Sequence, residues 1–303
     1  MANILVVGSI NMDLVVRVPN APVPGETVMG GDFETFPGGK GANQAVAAAR
    51  MGGKVTMVGR VGNDDFGNTL IQGLVENQVK TTFVTKDSDA KTGIALIAVA
   101  ESSENLIVVA PGANMRVSVE DVYKASDLLR EIDLLMVQLE IPLETVTAAV
   151  EMAHAVNIPV VLNPAPAQPL PPSLLAQVDV LTPNEKELAL LTGEEDLERG
   201  IEILRGWGAR NVVVTLGAQG ARLVTETADQ TLPAFKVTPV DTTAAGDAFN
   251  GALAVALAEG KPLLEAVRYG TAAGALATTQ IGAQPSLPDR EAVDDLLARG
   301  ISD

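Results

Sequence analysis

The sequence predicts an α/β protein of three layers, in which helices cover both faces of a mostly parallel central sheet. Short apolar runs recur along the chain, and a helical pattern follows each of them. Runs that are apolar on both faces and alternate with helices are typical of strands buried inside a parallel sheet. The predicted strands are residues 4–8, 55–61, 134–139, 160–163, 178–182 and 212–216.

Helical patterns occupy the intervals between these runs. The predicted helices are residues 41–51, 65–77, 143–156, 185–191 and 196–207. The last part of the chain has a different character, because three consecutive helices are predicted there, at residues 244–259, 262–279 and 289–299. The first two are rich in Ala and Gly, and such small residues let helix backbones approach one another or a ligand closely.

Two segments interrupt the alternation, residues 13–36 and 92–110. Both contain strand-like apolar patterns separated by turn residues. We expect them to form a small β-sheet outside the main one, where it would serve as a lid; edge hairpins on the main sheet are the alternative. No repeat or flexible linker divides the chain, so residues 1–303 are predicted to form a single domain with this lid.

Charge and composition exclude several classes of function. The 303 residues include 21 Lys and Arg against 38 Asp and Glu, a net charge of −17. Such a chain repels nucleic acid and anionic lipid. The absence of cysteine excludes disulfides, thiolate catalysis, Fe–S clusters and cysteine-based zinc sites, and the single histidine, His154, cannot by itself form a Ser-His-Asp triad. Chemistry is therefore expected from carboxylates, backbone N–H groups and small polar side chains.

The sequence also indicates the cellular compartment of the protein. The chain begins with a predicted strand rather than a secretory signal. Two long uncharged stretches, residues 153–178 and 269–288, do not have the composition of membrane spans, because the first contains six prolines and the second is rich in Gly, Thr, Gln and Ala. We expect a cytoplasmic protein without a membrane partner.

The C-terminal motif, residues 241–252, reads Asp-Thr-Thr-Ala-Ala-Gly-Asp-Ala-Phe-Asn-Gly-Ala. Small residues at a helix start leave unpaired N–H groups and the positive end of the helix dipole accessible, an arrangement that attracts phosphate. Asp247 would then be either a general base beside the phosphate or a carboxylate that merely complements the dipole. Within this motif the catalytic interpretation is favoured.

The N-terminal motif, residues 37–44, reads Pro-Gly-Gly-Lys-Gly-Ala-Asn-Gln and precedes an Ala-rich helix. Its glycines allow the backbone to fold tightly around a small polar ligand, and Asn43 can both donate and accept hydrogen bonds; an ordinary Gly-rich loop is the alternative. Asn11, Asp13 and Glu140 follow predicted strands, at the edge where open α/β sheets bind ligands.

Two further segments have the character of nucleotide-site loops, although both standard nucleotide fingerprints, G-x-x-x-x-G-K-[ST] and G-x-G-x-x-G after a strand, are absent. Residues 182–187, Thr-Pro-Asn-Glu-Lys-Glu, follow a strand and begin a helix. Their carboxylates are able to hold Mg²⁺ through water, and an acidic first helical turn is the alternative. Residues 214–220 read as a strand–turn–strand, by default a hairpin.

Together these motifs resemble the phosphofructokinase-B-type family of carbohydrate and nucleoside kinases. The resemblance rests on residues 38–43 and 241–247 and covers essentially the whole chain, including Asn184-x-x-Glu187 and residues 282–286. It implies ATP-dependent phosphorylation of a small sugar. Asn11-Met12-Asp13 combined with both motifs is most similar to members that phosphorylate D-ribose at its 5-hydroxyl; deoxyribose, fructose and nucleosides are the alternative substrates.

Two other functional classes fit the sequence less well than a kinase does. A non-catalytic sugar-binding relative is disfavoured because Asp247 is present. A Rossmann-type oxidoreductase is disfavoured because the glycine fingerprint is missing.

The resemblance implies a role for each motif residue. Asp247 would take the proton from the sugar hydroxyl, and the N–H groups of Ala245, Gly246 and Asp247 would hold the charge of the transferred phosphoryl group. The sugar would be bound by Asn11, Asp13, Gly39, Lys40, Asn43, Glu140 and Asp247. The nucleotide would be bound by Asn184, Thr215, Gly217, Gly220, Gly246 and Thr271.

The resemblance also implies two metal cofactors. Mg²⁺ would accompany ATP, with Glu187 holding its water shell, and K⁺ would act as a monovalent activator. The K⁺ site would be formed by Asp241, Thr243, Ala277, Gln280, Gly282 and Ser286. Ordinary turn roles for Asp241 and Ser286 are the alternative.

Two positions depart from the family pattern, and one expectation concerns assembly. Thr271 stands where many relatives have Asn or His near the adenine, and Gln280 stands where relatives are often basic. Both lie at the periphery of the nucleotide or the cation, so they bear on fine selectivity rather than on the reaction. The resemblance also implies that lids of this type pair between subunits, and we therefore expect a homodimer.

Overall fold

The computed structural model describes residues 1–100, 102 and 105–300. Its strands are β1 (Asn3–Val7), β2 (Asn11–Val18), β3 (Phe33–Gly38), β4 (Lys54–Gly62), β5 (Lys80–Asp87), β6 (Gly93–Ala100), β7 (Asn105–Ala110), β8 (Leu134–Val137), β9 (Val160–Leu162), β10 (Val180–Leu181), β11 (Asn211–Thr215), β12 (Ala221–Val224) and β13 (Asp229–Leu232). Its α-helices are α1 (Lys40–Arg50), α2 (Asp65–Glu76), α3 (Val119–Lys124), α4 (Leu143–Ala155), α5 (Pro172–Leu175), α6 (Glu185–Thr192), α7 (Leu197–Gly206), α8 (Ala245–Ala258), α9 (Leu263–Ala277), α10 (Ala283–Ser286) and α11 (Arg290–Arg299).

The main sheet has the strand order β13-β12-β11-β10-β9-β8-β1-β4-β5. Neighbouring strands from β11 to β5 pair in parallel, and β12 and β13 extend the β11 edge as antiparallel strands. The predicted mostly parallel sheet is confirmed. Strand β5 was not predicted, because its sequence, Lys-Thr-Thr-Phe-Val-Thr-Lys-Asp, lacks the continuous apolar run of an interior strand and suits the exposed edge that it forms.

The two faces of the main sheet carry separate apolar cores. In β1, Ile4 and Val6 face the core that includes α1, α8 and α9, whereas Leu5 and Val7 face the core that includes α4 and α7. Successive strand residues point to opposite faces, so a strand buried on both sides must be apolar throughout. This arrangement confirms the three predicted layers.

Helices α1 and α8 approach each other unusually closely. A Cβ atom built on Gly251 of α8 would lie 2.5 Å from the Cβ of Ala47 and 2.8 Å from the backbone nitrogen of Ala48, both in α1. Only glycine fits at that crossing, which explains why both predicted helices are rich in small residues. The packing joins the helix that follows the N-terminal motif to the helix that follows the C-terminal one.

The two segments outside the alternation form a small sheet in the order β3-β2-β6-β7. Strand β2 pairs antiparallel with β3 and parallel with β6, and β6 pairs antiparallel with β7. The predicted small sheet is therefore present, and its role as a lid stays a prediction. Residues 101, 103 and 104, between β6 and β7, lie outside the described part of the chain.

Strands β2 and β3 are longer than predicted at the ends nearest the motifs. Strand β2 begins at Asn11 and β3 ends at Gly38, with these two residues paired in the register. The small sheet thus runs directly into the first turn of α1. After α9, residues 283–286 form the single helical turn α10, which was not among the predicted helices. Within the described ranges, no helix is long and apolar enough to cross a lipid bilayer.

Candidate active site

Polar residues follow the strands of the main sheet at one edge. Gln138 follows β8, Asn163 follows β9, Thr182 follows β10, and Asn184 forms an isolated bridge with Thr215 of β11. The carboxyl ends of parallel strands meet at the same edge, which is where α/β folds bind ligands. The two glycine-containing motifs converge on this edge.

The N-terminal motif lies directly against the connection between β1 and β2. Gly39 precedes α1 with a φ of +87°, and a Cβ atom there would lie 2.6 Å from the backbone nitrogen of Asn11. A Cβ atom on Gly41 would lie 2.6 Å from the nitrogen of Ser9. Both glycines are therefore required by close backbone approach, and Gly39 also by its left-handed conformation.

Glu140 links this motif to the strand ends. Its Oε2 atom accepts hydrogen bonds from the hydroxyl of Ser9 at 2.5 Å and from the backbone N–H of Lys40 at 3.1 Å. Ser9 in turn accepts a bond from the N–H of Gly41 at 3.3 Å. The structure thus brings Glu140 to the motif, and its role in sugar binding stays a prediction. Ser9 is a further contact here that the sequence did not predict.

Asp247 lies buried in the first turn of α8. The N–H of Ala248 donates to the carbonyl of Ala244 at 2.9 Å. The N–H groups of Gly246 and Asp247 come before this bond in the helix, so they have no intrahelical acceptor. The N–H of Ala245 makes a longer bond, 3.3 Å, to Thr242. Of the three predicted anion-binding donors, Ala245 is therefore partly engaged within the turn.

Ala244 begins this helix in a strained conformation. Its φ is +59°, a left-handed value that costs a residue with a Cβ roughly 1–2 kcal/mol. Strain of this kind persists where the surrounding structure enforces it, often at functional turns. Here it turns the chain into α8, two residues before the exposed Gly246.

The two motifs meet through side-chain hydrogen bonds. Asn43 donates from Nδ2 to Oδ2 of Asp247 at 3.0 Å, and Gln44 donates from Nε2 to Oδ1 of Asp247 at 3.0 Å. Asn43 Oδ1 is buried and has no hydrogen-bond partner among residues 1–100, 102 and 105–300. An acceptor in that position is suited to a hydroxyl of a bound ligand, because a buried polar atom is costly to leave unpaired.

Four carboxyl groups surround one cation at this site. Burial opposes the charge of Lys40, but Asp247, Glu140, Glu187 and Asp13 outweigh it and raise the pKa of Lys40. Lys40 is therefore a stable cation.

The same surroundings act on the carboxyl groups. Burial, followed by repulsion from Glu140 and Asp247, raises the pKa of Asp13 to about 7. Burial likewise raises the pKa of Asp247, against the opposing effects of Lys40, Asn43 and Gln44. Asp13 is thus poised to gain or lose a proton near neutral pH.

Asn184 and Glu187 cap the start of α6. Asn184 Oδ1 accepts the N–H of Glu187 at 2.8 Å, and Glu187 Oε2 accepts the N–H of Asn184 at 2.9 Å. Thr215 donates its N–H to the carbonyl of Pro183 at 3.0 Å. The predicted pair Asn184 and Thr215 is therefore brought together, and Glu187 has a capping role whatever else it does.

The turn between β11 and β12 has the predicted strand–turn–strand form. Gly217 and Gly220 have φ values of +56° and +102°. A Cβ atom on Gly220 would lie 2.0 Å from the carbonyl oxygen of Leu232, so no other residue fits there. Leu232 also lines a cavity of about 180 Å³ together with Thr271 of α9, which places Thr271 near this turn. The Thr271 hydroxyl donates to Val267 within its own helix.

Asp241 joins the segment before α8 to the segment after α9. Its carboxylate accepts the N–H and hydroxyl of Thr243, at 2.9 and 2.6 Å, and the N–H of Gly282 at 2.9 Å. Although burial opposes ionisation, these bonds lower the pKa of Asp241.

The other residues predicted to bind K⁺ differ in burial. Ala277, Gly282 and Ser286 are buried beside this contact, whereas the side chain of Gln280 is exposed. The Ser286 hydroxyl donates to the carbonyl of Ala283 at 2.9 Å. Gln280 is thus in a position to contribute only its backbone.

Comparison with known proteins decides the family. The model of the pfkB family carbohydrate kinase matches residues 1–290. The chain belongs to this family. The pfkB kinases similar to it include a ribokinase of Bacillus subtilis (strain 168), 42% identical over 298 residues that cover 98% of this chain and all of the relative. They also include a deoxyribokinase of Salmonella typhi, 37% identical over 98% of this chain and 99% of the relative.

A solved structure extends the comparison to the fold. The structure of the Arabidopsis thaliana ribokinase complexed with ribose and ATP superimposes with a TM-score of 0.89 at 33% identity, covering 98% of this chain and 99% of that one. The family predicted from the two motifs is confirmed, and so is the pfkB kinase fold with its large, mostly parallel sheet. The protein is a carbohydrate kinase.

Several buried polar residues at the site were not predicted. They are Ser9, Gln44, Asn114, Gln138, Asn163, Thr182 and Asn250. Two signals in the sequence point to most of them. Gln138, Asn163 and Thr182 each come directly after an apolar strand, and Gln44 interrupts an Ala-rich helix whose neighbours are buried.

Proposed function

We propose that the protein transfers the γ-phosphoryl group of ATP to the 5-hydroxyl of D-ribose, giving ribose 5-phosphate and ADP. The observation that carries the proposal is the contact between the two motifs, the 3.0 Å bond from Asn43 to Asp247. It sets the sugar-binding loop beside a buried carboxylate at an anion-binding helix start. The similarity to ribokinases over almost the full chain supports ribose and ATP as the substrates.

In the proposed reaction Asp247 takes the proton from the 5-hydroxyl. A general base works best when its pKa lies near the working pH, and burial moves the pKa of Asp247 upward from its ordinary value. Lys40 together with the amides of Asn43 and Gln44 limits this rise. The raised pKa makes Asp247 a better proton acceptor than an exposed aspartate.

Charge on the transferred phosphoryl group would be held by the N–H groups of Gly246 and Asp247, with Ala245 contributing once its long bond to Thr242 is released. Lys40 is the cation that faces the four carboxyl groups of the site. Phosphoryl transfer depends mainly on positioning and charge stabilisation, so this small set of groups is sufficient.

Ribose would be held by the side chains of Asn11, Asp13, Asn43 and Glu140 and by the backbone around Gly39 and Lys40. Asn43 Oδ1, buried and without a partner in the described ranges, would accept a sugar hydroxyl. Buried groups built to pair with hydroxyls reject analogues that lack them much better than an apolar pocket would.

A substrate panel tests the proposal. ADP release is measured with ribose, deoxyribose, fructose and a nucleoside at equal concentrations of MgATP, and NAD(P)H absorbance is followed in parallel. We expect the highest kcat/KM with ribose. A much higher value with another sugar or a nucleoside would overturn the substrate assignment, and the identity to a deoxyribokinase makes deoxyribose the second candidate. Absence of ADP release with every sugar would overturn the kinase role.

For the nucleotide, we propose that Asn184, Thr215, Gly217, Gly220 and Thr271 line the site. Glu187 would hold the water shell of the Mg²⁺ that ATP brings. The donor set fits such a site, because Mg²⁺ keeps most of its waters and uses few carboxylates, and Glu187 is held at the helix start by its bond to Asn184.

Glu187→Gln is expected to raise the Mg²⁺ concentration needed for half-maximal rate. Gln retains the capping interaction, so the helix start is preserved while the charge is removed. Glu185→Gln, in the same first turn but exposed, is the matched control. An identical Mg²⁺ dependence in both variants and the wild type would assign Glu187 to helix capping alone.

We also propose that K⁺ activates the enzyme at the site formed by Asp241, Thr243, Ala277, Gln280, Gly282 and Ser286. The structure fits such a site, since an ionised Asp241 joins two segments rich in backbone carbonyls. The residues would act by ordering the chain that leads into α8, so that its N–H groups are already oriented for phosphate.

Rates are expected to be higher in K⁺ than in Na⁺ or tetramethylammonium at equal ionic strength, and Asp241→Ala should remove this difference. Asp196→Ala, at the start of α7 on the other face of the sheet, serves as the control and should keep it. Equal rates of the wild type in all three salts would refute the cation site.

We propose further that the protein is a homodimer joined through the small sheet and acts in the cytoplasm, where ATP is available. On the edge strand β7, Leu106, Ile107, Val108 and Val109 are each between 45% and 63% exposed. An apolar edge strand exposed on both faces favours pairing with a second copy. Light scattering should give the mass of a dimer, and a monomer mass would contradict the assembly.

A further inference from the structure

A chain of buried hydrogen bonds begins at the Asp247 carboxylate. Gln44 donates from Nε2 to Asp247 Oδ1 at 3.0 Å and to Asn163 Oδ1 at 3.2 Å. Gln138 donates from Nε2 to Gln44 Oε1 at 2.6 Å. Because the Gln44 oxygen is occupied by Gln138, the Gln44 amide group must point its N–H donors towards Asp247. The opposite orientation would set an oxygen against the carboxylate.

The chain continues across two strand ends and returns to the same residue. Asn163 donates from Nδ2 to the carbonyl of Thr182 at 2.9 Å, and Thr182 donates its hydroxyl to Asn250 Oδ1 at 2.6 Å. Asn250 then donates from Nδ2 to the carbonyl of Gly246 at 2.8 Å. That carbonyl belongs to the peptide group whose N–H is carried by Asp247.

Both ends of the chain therefore meet at the proposed reaction centre. One end contacts the carboxylate of Asp247, and the other contacts the peptide that presents its N–H. Gln44, Gln138, Asn163, Thr182 and Asn250 are each at most 7% exposed. Gln138 Oε1 is the one oxygen of these five side chains that is buried without a partner in the described part of the chain. The remaining bonds link buried groups that are costly to leave unpaired, so they restrict the orientations of the side chains that make them.

We propose that Gln44 and Asn250 are positioning residues for phosphoryl transfer, Gln44 for the general base and Asn250 for the anion-binding peptide. The proposal rests on the function proposed above, because it assigns the chain to the reaction of Asp247. Gln44 holds the carboxylate oxygen in place and stabilises its ionised form. Asn250 holds the Gly246 carbonyl, which orients the adjoining N–H towards phosphate.

Other charged groups also face Asp247, and their effects must be kept constant in any test. They are Lys40 from α1, Asp13 from β2, Glu140 after β8 and Glu187 from α6. None of these is changed by a substitution at Gln44 or Asn250. A shift in the pH profile of such a variant therefore reports the loss of the hydrogen bond itself.

The test compares Gln44→Met with the wild type at saturating ribose and MgATP. Met has nearly the same length and cannot donate, so the Asp247 carboxylate loses a bond that favours ionisation. We expect kcat at the optimum to fall about 10-fold. The acid limb of the kcat profile should move to higher pH, so that part of the loss is recovered as the pH is raised.

Asn250→Leu tests the role of Asn250 at the anion-binding peptide separately from the role of Gln44 at the general base. It leaves the carboxylate contact intact, so kcat should fall at every pH while the acid limb keeps its wild-type position. Thr145→Val removes a buried hydroxyl that bonds Val117 beneath α4, and it is the control for loss of a buried polar contact. It should leave both kcat and the pH profile unchanged.

Gln138→Leu provides a second route if Gln44→Met does not fold. It leaves the Gln44 side chain in place but frees its amide group to rotate, so the acid limb should shift in the same direction by a smaller amount. A folded Gln44→Met or Gln138→Leu enzyme with the wild-type kcat and acid limb would overturn the positioning role. Failure of the wild type to phosphorylate ribose would instead overturn the proposed function.

Discussion

Asp247→Asn is expected to lower kcat by about 10²–10⁴-fold, the usual contribution of a general acid or base. Asn has the shape of Asp but cannot accept the proton of the 5-hydroxyl. The KM values for ribose and ATP should change little, because the substituted side chain keeps its place in the first turn of α8. Steady-state kinetics at saturating substrates measures the effect.

Asp65→Asn is the matched control for this variant. Asp65 also lies in the first turn of a helix, α2, but it is exposed. Its substitution removes the interaction of an acidic residue with a helix dipole without touching the site, so kcat should be unaffected. An Asp247→Asn enzyme that folds and keeps near-normal kcat would remove Asp247 from the role of general base.

Asp13→Ala is expected to raise the KM for ribose by about 10²-fold while the KM for ATP stays near its wild-type value. A buried hydrogen bond to a charged group contributes about 1.5–3 kcal/mol, and Asp13 is positioned to pair with sugar hydroxyls beside Gly38. Asp32→Ala, an exposed aspartate before β3, is the control. A parallel rise in both KM values would indicate a general loss of structure rather than loss of sugar recognition.

The raised pKa of Asp13 predicts that kcat/KM for ribose depends on pH. Because the pKa of Asp13 is raised to about 7, the free enzyme carries a protonated Asp13 below that pH and an ionised one above it. The carboxylate accepts hydrogen bonds from hydroxyls, so kcat/KM for ribose should increase as the pH rises through about 7. Asp13→Asn should abolish this step. A step of unchanged position in Asp13→Asn would assign it to another group.

The fold was predictable because its signals are local. Most interior strands of the parallel sheet are short apolar runs, and β4, although it contains Thr56 and Arg60, is mostly apolar. The helices between the strands have the expected period. Strand β5 was not predicted because an edge strand tolerates polar residues, and these residues interrupt the apolar pattern by which a strand is recognised. The helical turn α10 was missed because a single turn containing Pro285 has no period to detect.

The site was predictable only in part, since a motif names residues but not their partners. Asp247, Asn43 and Lys40 belong to motifs that can be recognised in sequence. Gln44 lies in the same motif, yet its bond to Asp247 spans 203 positions in the chain. Asn250 reads as an ordinary polar residue of a helix until Thr182 is seen beside it. Contacts between distant segments arise from the packing of the sheet and have no local pattern.

The close crossing of α1 and α8 has a mechanical consequence. With Gly251 of α8 packed directly against Ala47 and Ala48 of α1, the two helices leave little room to move, and the N-terminal and C-terminal motifs are held as one unit. The small sheet is connected to this unit through Gly39, which links β3 to α1, and through residues 8–10, which link β1 to β2. We therefore predict that any closure over the substrates moves the small sheet, while the distance between the two motifs is the same with and without ligands.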